Sequence, residues 1–297
     1  DEPVAQSFAQ GRMWFLEELH PGLTWYLMPV VVRMKGPLEL AALQSALNAI
    51  ENRHETLRTT FKTIGDTSMQ LVHPYHAKEL SIIDINTQSL EEALHRDQTT
   101  AFDLRKESGL RVSVYRISNE DHVLSIIMHH IISDGWSTDV FTRELGAFYS
   151  ASIRGQDPFL HAQALPIQYR DFSVWQRQQA QIDKHQSQLR YWFNLLNTSR
   201  PAELLCDKAR PAVLSGQASK QTIQIGGPLY IQLLQFCKAK GVTKFMVLFA
   251  AFRATHFRLT GQNDATIGTV NANRDRWELK DMIGFFVNLQ CLRTTID

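Results

Sequence analysis

Residues 109–130 constrain this chain most. "GLRVSVYRI" (109–117) and "HVLSIIMHH" (122–130) are rich in β-branched residues and flank the turn "SNED", so they read as a hairpin of two long strands. After Asp134-Gly135 the period changes: in "WSTDVFTRELGAFYSA", Val140, Leu145 and Phe148 fall on one helical face. A hairpin that feeds a helix belongs to an α/β fold, and the rest of the chain alternates in the same way. "MPVVVRMKG" (28–36) reads as a strand, and behind Pro37 the residues Leu40, Leu43, Leu47 and Ile50 recur at helical spacing. "TLRTTFK" and "MQLVH" alternate like strands around the turn "TIGDTS", and Ser89 with Glu92 forms an S-x-x-E capping box that opens another helix.

The stretch 153–166, "IRGQDPFLHAQALP", has no period and carries one Gly and two Pro, which marks it as a linker. Beyond it, "YRDFSVWQRQQA" and "HQSQLRYWFNLL" read as helices, followed by a Pro-containing stretch over 198–216. "SKQTIQI" (219–225) reads as a strand, and "LYIQLLQFCKAKG" as a helix ending at Gly241. "KFMVLFAAFRATHFRL" (244–259) is apolar nearly all round and predicts a buried helix. "ATIGTV" and "FVNLQCLRTTI" read as closing strands. The organisation expected is two α/β lobes, residues 1–166 and 167–297, the second incomplete.

With 297 residues the chain has the length for two such lobes. Thirty-one Lys and Arg against thirty Asp and Glu leave a net charge of +1, which gives no electrostatic reason for a nucleic-acid or anionic-membrane partner. Cys206, Cys237 and Cys291 are far apart and outside CxxC spacing, so neither a disulfide framework nor a zinc site is expected, and a reducing cytoplasm fits. There is no apolar run of 18 residues and no signal-peptide pattern in "DEPVAQSFAQ". The chain lacks an initial Met and stops inside an apparent strand, and so reads as a piece of something longer.

The paired histidines at the end of the second hairpin strand carry the chemistry. Successive strand side chains point to opposite faces, so His129 and His130 do not converge on one metal ion, and no metal site is expected. His129, following "LSIIM", reads as a buried histidine that bonds a backbone carbonyl. His130 faces the other way, at the mouth of the strand, with Gly135 leaving room for a substrate or backbone to approach. An imidazole there can accept a proton or a hydrogen bond from an attacking amine or hydroxyl. Asp134 either orients that imidazole or caps the following helix.

"MHHIISDGWS" resembles the HHxxxDG core of nonribosomal peptide synthetase condensation domains. Four further segments resemble motifs of that family in the same order. These are "SFAQGRMWFLEEL" (7–19), "RHETLRTTF" (53–61), "YRDFSVW" (169–175), with Ser173 where Ala is usual, and "IGFFVNLQCLR" (283–293), with Leu289 where Thr is usual. The resemblance implies two chloramphenicol-acetyltransferase-like α/β lobes in a V, with the active site in a tunnel between them. It implies a reaction in which an aminoacyl thioester attacks an acyl or peptidyl thioester, forming a peptide bond. Both substrates would ride on 4'-phosphopantetheine arms of upstream and downstream carrier domains, next to an adenylation domain, with no cofactor bound by the condensation domain itself.

Carried over residue by residue, His130 is the functional centre. Asp134 pairs with an arginine that matches Arg274 in "NANRDRWELKD", and His129, Asp134, Gly135 and Arg274 support the site. Asn288 lies in a segment near the crossing between lobes and is a candidate for tunnel lining. Arg12, Arg58 and Asp171 read as structural polar partners, and Trp14, Phe61 and Trp175 as core.

Rival readings remain distinct. Epimerisation relatives usually carry Glu-Gly-His-Gly-Arg where this chain has Val270-Asn271-Ala272-Asn273-Arg274, and heterocyclising relatives replace the paired histidines with Asp. A CoA-dependent acyltransferase, an ester-forming condensation or a non-catalytic carrier-docking scaffold would use the same fold. The full set of motifs and the intact His130, Asp134 and Gly135 favour condensation.

Overall fold

The computed structural model describes residues 2–160, 162–209, 211–212 and 219–297; for 179–185 it gives the backbone only. In chain order the elements are β1 (Val4–Ala5), α1 (Phe8–Leu19), β2 (Leu27–Lys35), α2 (Leu40–Arg53), β3 (Thr59–Ile64), β4 (Thr67–Val72), β5 (Ser81–Asp84) and α3 (Thr87–Thr99). Then come β6 (Leu110–Ser118), β7 (Asp121–His129), α4 (Gly135–Ile153), α5 (Tyr169–Arg177), α6 (Gln179–Leu196), α7 (Gly227–Lys240), α8 (Lys244–Thr260), β8 (Asp264–Asn271) and β9 (Asn288–Thr295). They form two compact units: Asp1–His185 with Asn271–Asn288, and Gln186–Val270 with Leu289–Asp297. The boundary therefore falls at 185/186 where the sequence pattern suggests 166/167, and residues 271–288 return to the first unit. The linker expected over 153–166 is partly tied down, since Phe159 packs edge-on to Phe148 at 5.6 Å; residue 161 lies outside the described residues.

The hairpin of the sequence reading is the centre of the first unit. β7 lies between β2 and β6, antiparallel to both, and β5 completes the order β2-β7-β6-β5 as a parallel neighbour of β6. Every β7 residue from His122 to His129 is buried, which a strand covered on both faces requires and which explains its unbroken apolar run. On one face Tyr115 and Val123 pack with Leu90 and Ala93 of α3, where Asp97 accepts hydrogen bonds from Tyr115 (3.0 Å) and Ser125 (2.7 Å). Leu124, Ile126 and Met128 belong to a larger cluster with Leu43, Ala46 and Ile50 of α2 and Val140, Phe141 and Phe148 of α4. A second, antiparallel sheet has the order β1-β4-β3.

One local expectation is corrected. The cap of α3 is Asn86, whose side chain accepts from the Ser89 amide at 2.9 Å, so Ser89 occupies the third helical position. Both residues are good N-caps, and the register is set three residues earlier than the capping-box pattern suggests.

In the second unit α7 ends at Gly241, whose φ of 63° is the left-handed conformation that glycine adopts without a steric cost. β8 pairs with β9 in a two-stranded sheet. Residues 219–226 form no regular element, where a strand was expected; of the stretch 198–216, residues 210 and 213–216 lie outside the described residues. The expectation that α8 is buried also fails. Phe245, Met246, Leu248, Phe252 and Leu259 are all exposed, and the buried residues of α8 are Arg253 and His256. Arg253 donates to the carbonyls of Gln262 and Asn263 and to Thr294, so this helix is anchored by polar bonds along one side.

Candidate active site

At the end of β7 the backbone leaves the sheet. The His130 amide still donates to the Tyr26 carbonyl (2.8 Å), after which Ile132 and Ser133 bond back to His129 and His130 in a tight turn. That turn delivers Asp134 to the N-cap of α4, where its side chain accepts from the Ser137 amide at 2.8 Å. Strand end, turn and cap follow directly from the apolar run, the short "IIS" and the Asp-Gly.

The two adjacent histidines are wired in opposite ways. His129 is 1% exposed, and its ring meets Phe102 edge-on. Its Nδ1 accepts a hydrogen bond from the Ile131 amide at 3.1 Å, so the proton sits on Nε2, which has no hydrogen-bond partner among the described residues. The partner is thus a backbone N–H where the sequence reading expected a carbonyl, because the turn brings the amide of residue 131 back over the ring. Burial, helped by the neighbouring His130, pushes its pKa down to about 4 and keeps the ring neutral. Gly109 makes the close passage of β6 possible: a Cβ there would stand 2.9 Å from the His129 Cβ.

His130 is half-buried. Its Nδ1 lies 2.9 Å from the Ser133 carbonyl, and since a carbonyl only accepts, Nδ1 carries the proton. Nε2 of the neutral ring therefore keeps a lone pair, with no hydrogen-bond partner among the described residues. The ring stands edge-on to Phe285, centroids 5.1 Å apart. Gly135 is exposed, and a Cβ placed on it would meet nothing within 4 Å, so the space that a side chain would take at the start of α4 is open.

Asp134 is fully buried and caps α4; it makes no hydrogen bond to His130. Its Oδ1 accepts from the Ser137 amide, the Ser137 hydroxyl (2.7 Å) and Arg274 Nη2 (3.1 Å), and its Oδ2 accepts from the Phe286 amide at 3.1 Å. The Asp134–Arg274 pair is buried at both ends. Burial lowers the pKa of Arg274 while Asp134 acts in the opposite sense. Arg274 Nη1 donates to the carbonyls of Leu279 (2.5 Å) and Met282 (2.6 Å), and its guanidinium lies over the Phe286 ring at 4.2 Å. A buried charge needs this many partners to be tolerated.

The effect of these bonds is to fix residues 279–286 against α4. Residues that motif reading passed over complete the hold. The Ser137 hydroxyl accepts from the Gly284 amide at 3.1 Å. His54 Nδ1 accepts from the Ile283 amide while its Nε2 donates to Glu144. The Tyr169 hydroxyl donates to the Phe285 carbonyl at 2.5 Å. The signal for them was weak: a serine in the first turn behind an Asp cap, and a histidine and a tyrosine inside quoted motifs.

Other sequence candidates fall in place more simply. Asn288 is exposed and accepts from Arg12 at 3.2 Å. Asp171 accepts from the Gln168 amide at the start of α5, and Arg58 lies 3.9 Å from Glu55. Trp14 and Phe61 are core residues, and Trp175 packs against a smaller cluster with Tyr169, Phe172 and Phe286. Among the described residues no group of three His, Cys, Asp or Glu side chains could hold a metal ion, and no helix is long and apolar enough to cross a membrane.

The family model for condensation domains matches residues 2–297. The chain belongs to the condensation-domain family. Across its whole length this condensation domain is 90% identical to a part of the nonribosomal peptide synthetase TES of Alternaria alternata. It is 54% identical over 298 residues to cyclosporin synthetase of Tolypocladium inflatum. It spans 6% and 2% of those proteins, respectively. Among solved structures it resembles the X-domain of teicoplanin biosynthesis in its complex with OxyB, with a TM-score of 0.85 and 28% identity over 99% of this chain and 66% of that one. The first condensation domain of the CDA synthetase shares the fold at 20% identity, with a TM-score of 0.76 over 100% of this chain and 72% of that one. The expected mixed α/β fold class and the family are thus borne out.

Proposed function

We propose that this domain forms a peptide bond between two thioester-bound substrates and that His130 is its catalytic residue. The observation that carries the reading is the wiring of His130: Nδ1–H is committed to the Ser133 carbonyl, which leaves the Nε2 lone pair free. An α-amine that attacks a thioester becomes positively charged and must shed a proton. Nε2 accepts a hydrogen bond from the amine and takes that proton as the tetrahedral intermediate forms, an effect typically worth about 10²–10⁴ in rate. Collapse of the intermediate breaks the C–S bond of the donor thioester and releases the donor arm as a thiol. The peptide remains on the acceptor arm.

In this reading the donor and acceptor arrive on the 4'-phosphopantetheine arms of upstream and downstream carrier domains of a multimodular synthetase, with an adenylation domain loading the acceptor. His129 is a buried neutral support. Asp134 and Arg274 brace the segment that meets His130, Gly135 keeps the start of α4 open, and Asn288 lines the path of a substrate. The test is to mix the condensation-competent synthetase module with separately loaded donor and acceptor carriers and read the intact mass of the acceptor. Condensed acceptor from the parent and essentially none from a folded His130→Ala variant is the expected result. Equal condensation by both would remove His130 from the reaction, and a correctly loaded parent that never transfers would favour a docking scaffold.

A further inference from the structure

The hydrogen bond from His130 to Ser133 holds the imidazole at one nitrogen, Nδ1. The second restraint is the edge of Phe285, at 5.1 Å between ring centroids. The position of Phe285 therefore bears on where Nε2 points. Its neighbours are fixed through their amides, Gly284 to Ser137 and Phe286 to Asp134. Among the described residues, the side chain that bonds the backbone of Phe285 itself is Tyr169, through the 2.5 Å bond to its carbonyl.

Tyr169 is built for that task. It is 1% exposed, and its ring lies against Phe286 (centroids 5.0 Å) and Phe172 (5.6 Å). Gly284 passes so close that a Cβ there would overlap the Tyr169 ring, so ring and segment are matched to each other. The single hydroxyl proton goes to the Phe285 carbonyl, and Ser7 Oγ, 2.9 Å away, donates to the tyrosine oxygen while accepting from the Gln10 amide as the cap of α1. Burial raises the pKa of Tyr169, which keeps the hydroxyl a donor at any working pH.

We propose that Tyr169 is a positioning residue for condensation: through the Phe285 carbonyl it holds the Phe285 ring against His130 and so aims Nε2 at the acceptor amine. This rests on the role of His130 proposed above. It also gives one reason for the S-x-A-Q, Y-x-D and I-G-x-F segments to occur together, since Ser7, Tyr169 and Phe285 form one chain of contacts ending at His130.

The experiment compares Tyr169→Phe, which keeps the ring and removes the donor, with the parent in the intact synthetase module, using loaded carriers and single-turnover as well as steady-state kinetics. A small displacement of a reacting group typically costs roughly ten- to a hundredfold, so kcat is expected to fall by about that factor with KM for the acceptor carrier unchanged. In a His130→Ala background the same substitution is expected to leave the residual rate as it is. Tyr169→Phe slowing both backgrounds by the same factor would overturn the proposal, as would an unchanged kcat in the parent. Should Tyr169→Phe fail to fold, Phe285→Leu decides: it keeps the carbonyl and removes the ring edge. It is expected to lower kcat in the parent and not in His130→Ala, and an unchanged parental kcat would again overturn the proposal. If His130→Ala condenses at the parental rate, the reading of His130 fails; a His130-dependent reaction indifferent to Tyr169→Phe overturns the present inference alone.

Discussion

The two sides of the chain where β7 ends differ in what they do with an imidazole. On the His129 side the ring is enclosed by Phe102 and the close passage at Gly109, accepts from a backbone amide, and stays neutral because burial pushes its pKa down to about 4. On the His130 side the ring is half-buried, donates to a backbone carbonyl, and keeps its outer nitrogen free. One residue of sequence separates an enclosed imidazole from one with an open nitrogen, the ring proposed above to act in condensation. The difference comes from strand alternation and from a turn that offers an N–H to one ring and a C=O to the other.

The largest expected effect separates the two directly. His130→Ala is expected to lower condensation by about 10²–10⁴-fold while leaving unfolding by denaturant within about 1 kcal/mol of the parent. His129→Ala should do the reverse at the level of stability, losing roughly 2–3 kcal/mol through the cavity and the unpaired Ile131 amide. If His129→Ala proves as stable as the parent, the structural assignment of that ring is wrong.

Next in size is the brace behind His130. Asp134→Ala leaves Arg274 charged and buried without its carboxylate, and removes the α4 cap. A loss of about 3–5 kcal/mol in chemical denaturation is expected. A loss below about 1 kcal/mol would mean that Arg274 finds adequate partners in the Leu279 and Met282 carbonyls.

Then comes pH. His129 titrates at about 4 in the fold against 6.5 in the unfolded chain, so between those values the unfolded state binds the extra proton. Stability is full above about pH 6.5, falls as pH drops, and by about pH 4 has lost roughly 3 kcal/mol from this group. His54, whose pKa burial also lowers, acts in the same direction. Urea unfolding from pH 7 to pH 4 should show this slope, and a His129→Gln variant should flatten it; a slope unchanged in the variant would locate the titration elsewhere.

The smallest effect is a control remote from both rings. Asn86→Ala is expected to cost about 1 kcal/mol and Ser89→Ala under about 0.5 kcal/mol, since Asn86 is the cap of α3. The opposite order would restore the capping-box reading.

What could be read from the sequence was what neighbouring residues decide. The 109–130 hairpin, the start of α4 and the cap by Asp134 all follow from patterns a few residues long. The Asp134–Arg274 pairing spans 140 positions and came from family resemblance. Ser137, His54 and Tyr169 were not singled out, because their partners are backbone atoms of residues 283–285, and no spacing rule brings that segment to α4. The buried reading of α8 failed for a related reason: an apolar surface says that a helix has something to pack on, and the described residues do not provide it.

The central claim concerns where two protons sit, and it can be measured directly. With imidazole ¹⁵N labelling and assignment by His129→Gln and His130→Gln, the ring shifts of both histidines in the resting domain near neutral pH report their tautomers. The expected result is His129 protonated on Nε2 and neutral His130 protonated on Nδ1, its Nε2 bearing the lone pair. A neutral His130 protonated on Nε2 would contradict the account, because that ring could then neither hold the Ser133 carbonyl nor accept the proton of an attacking amine.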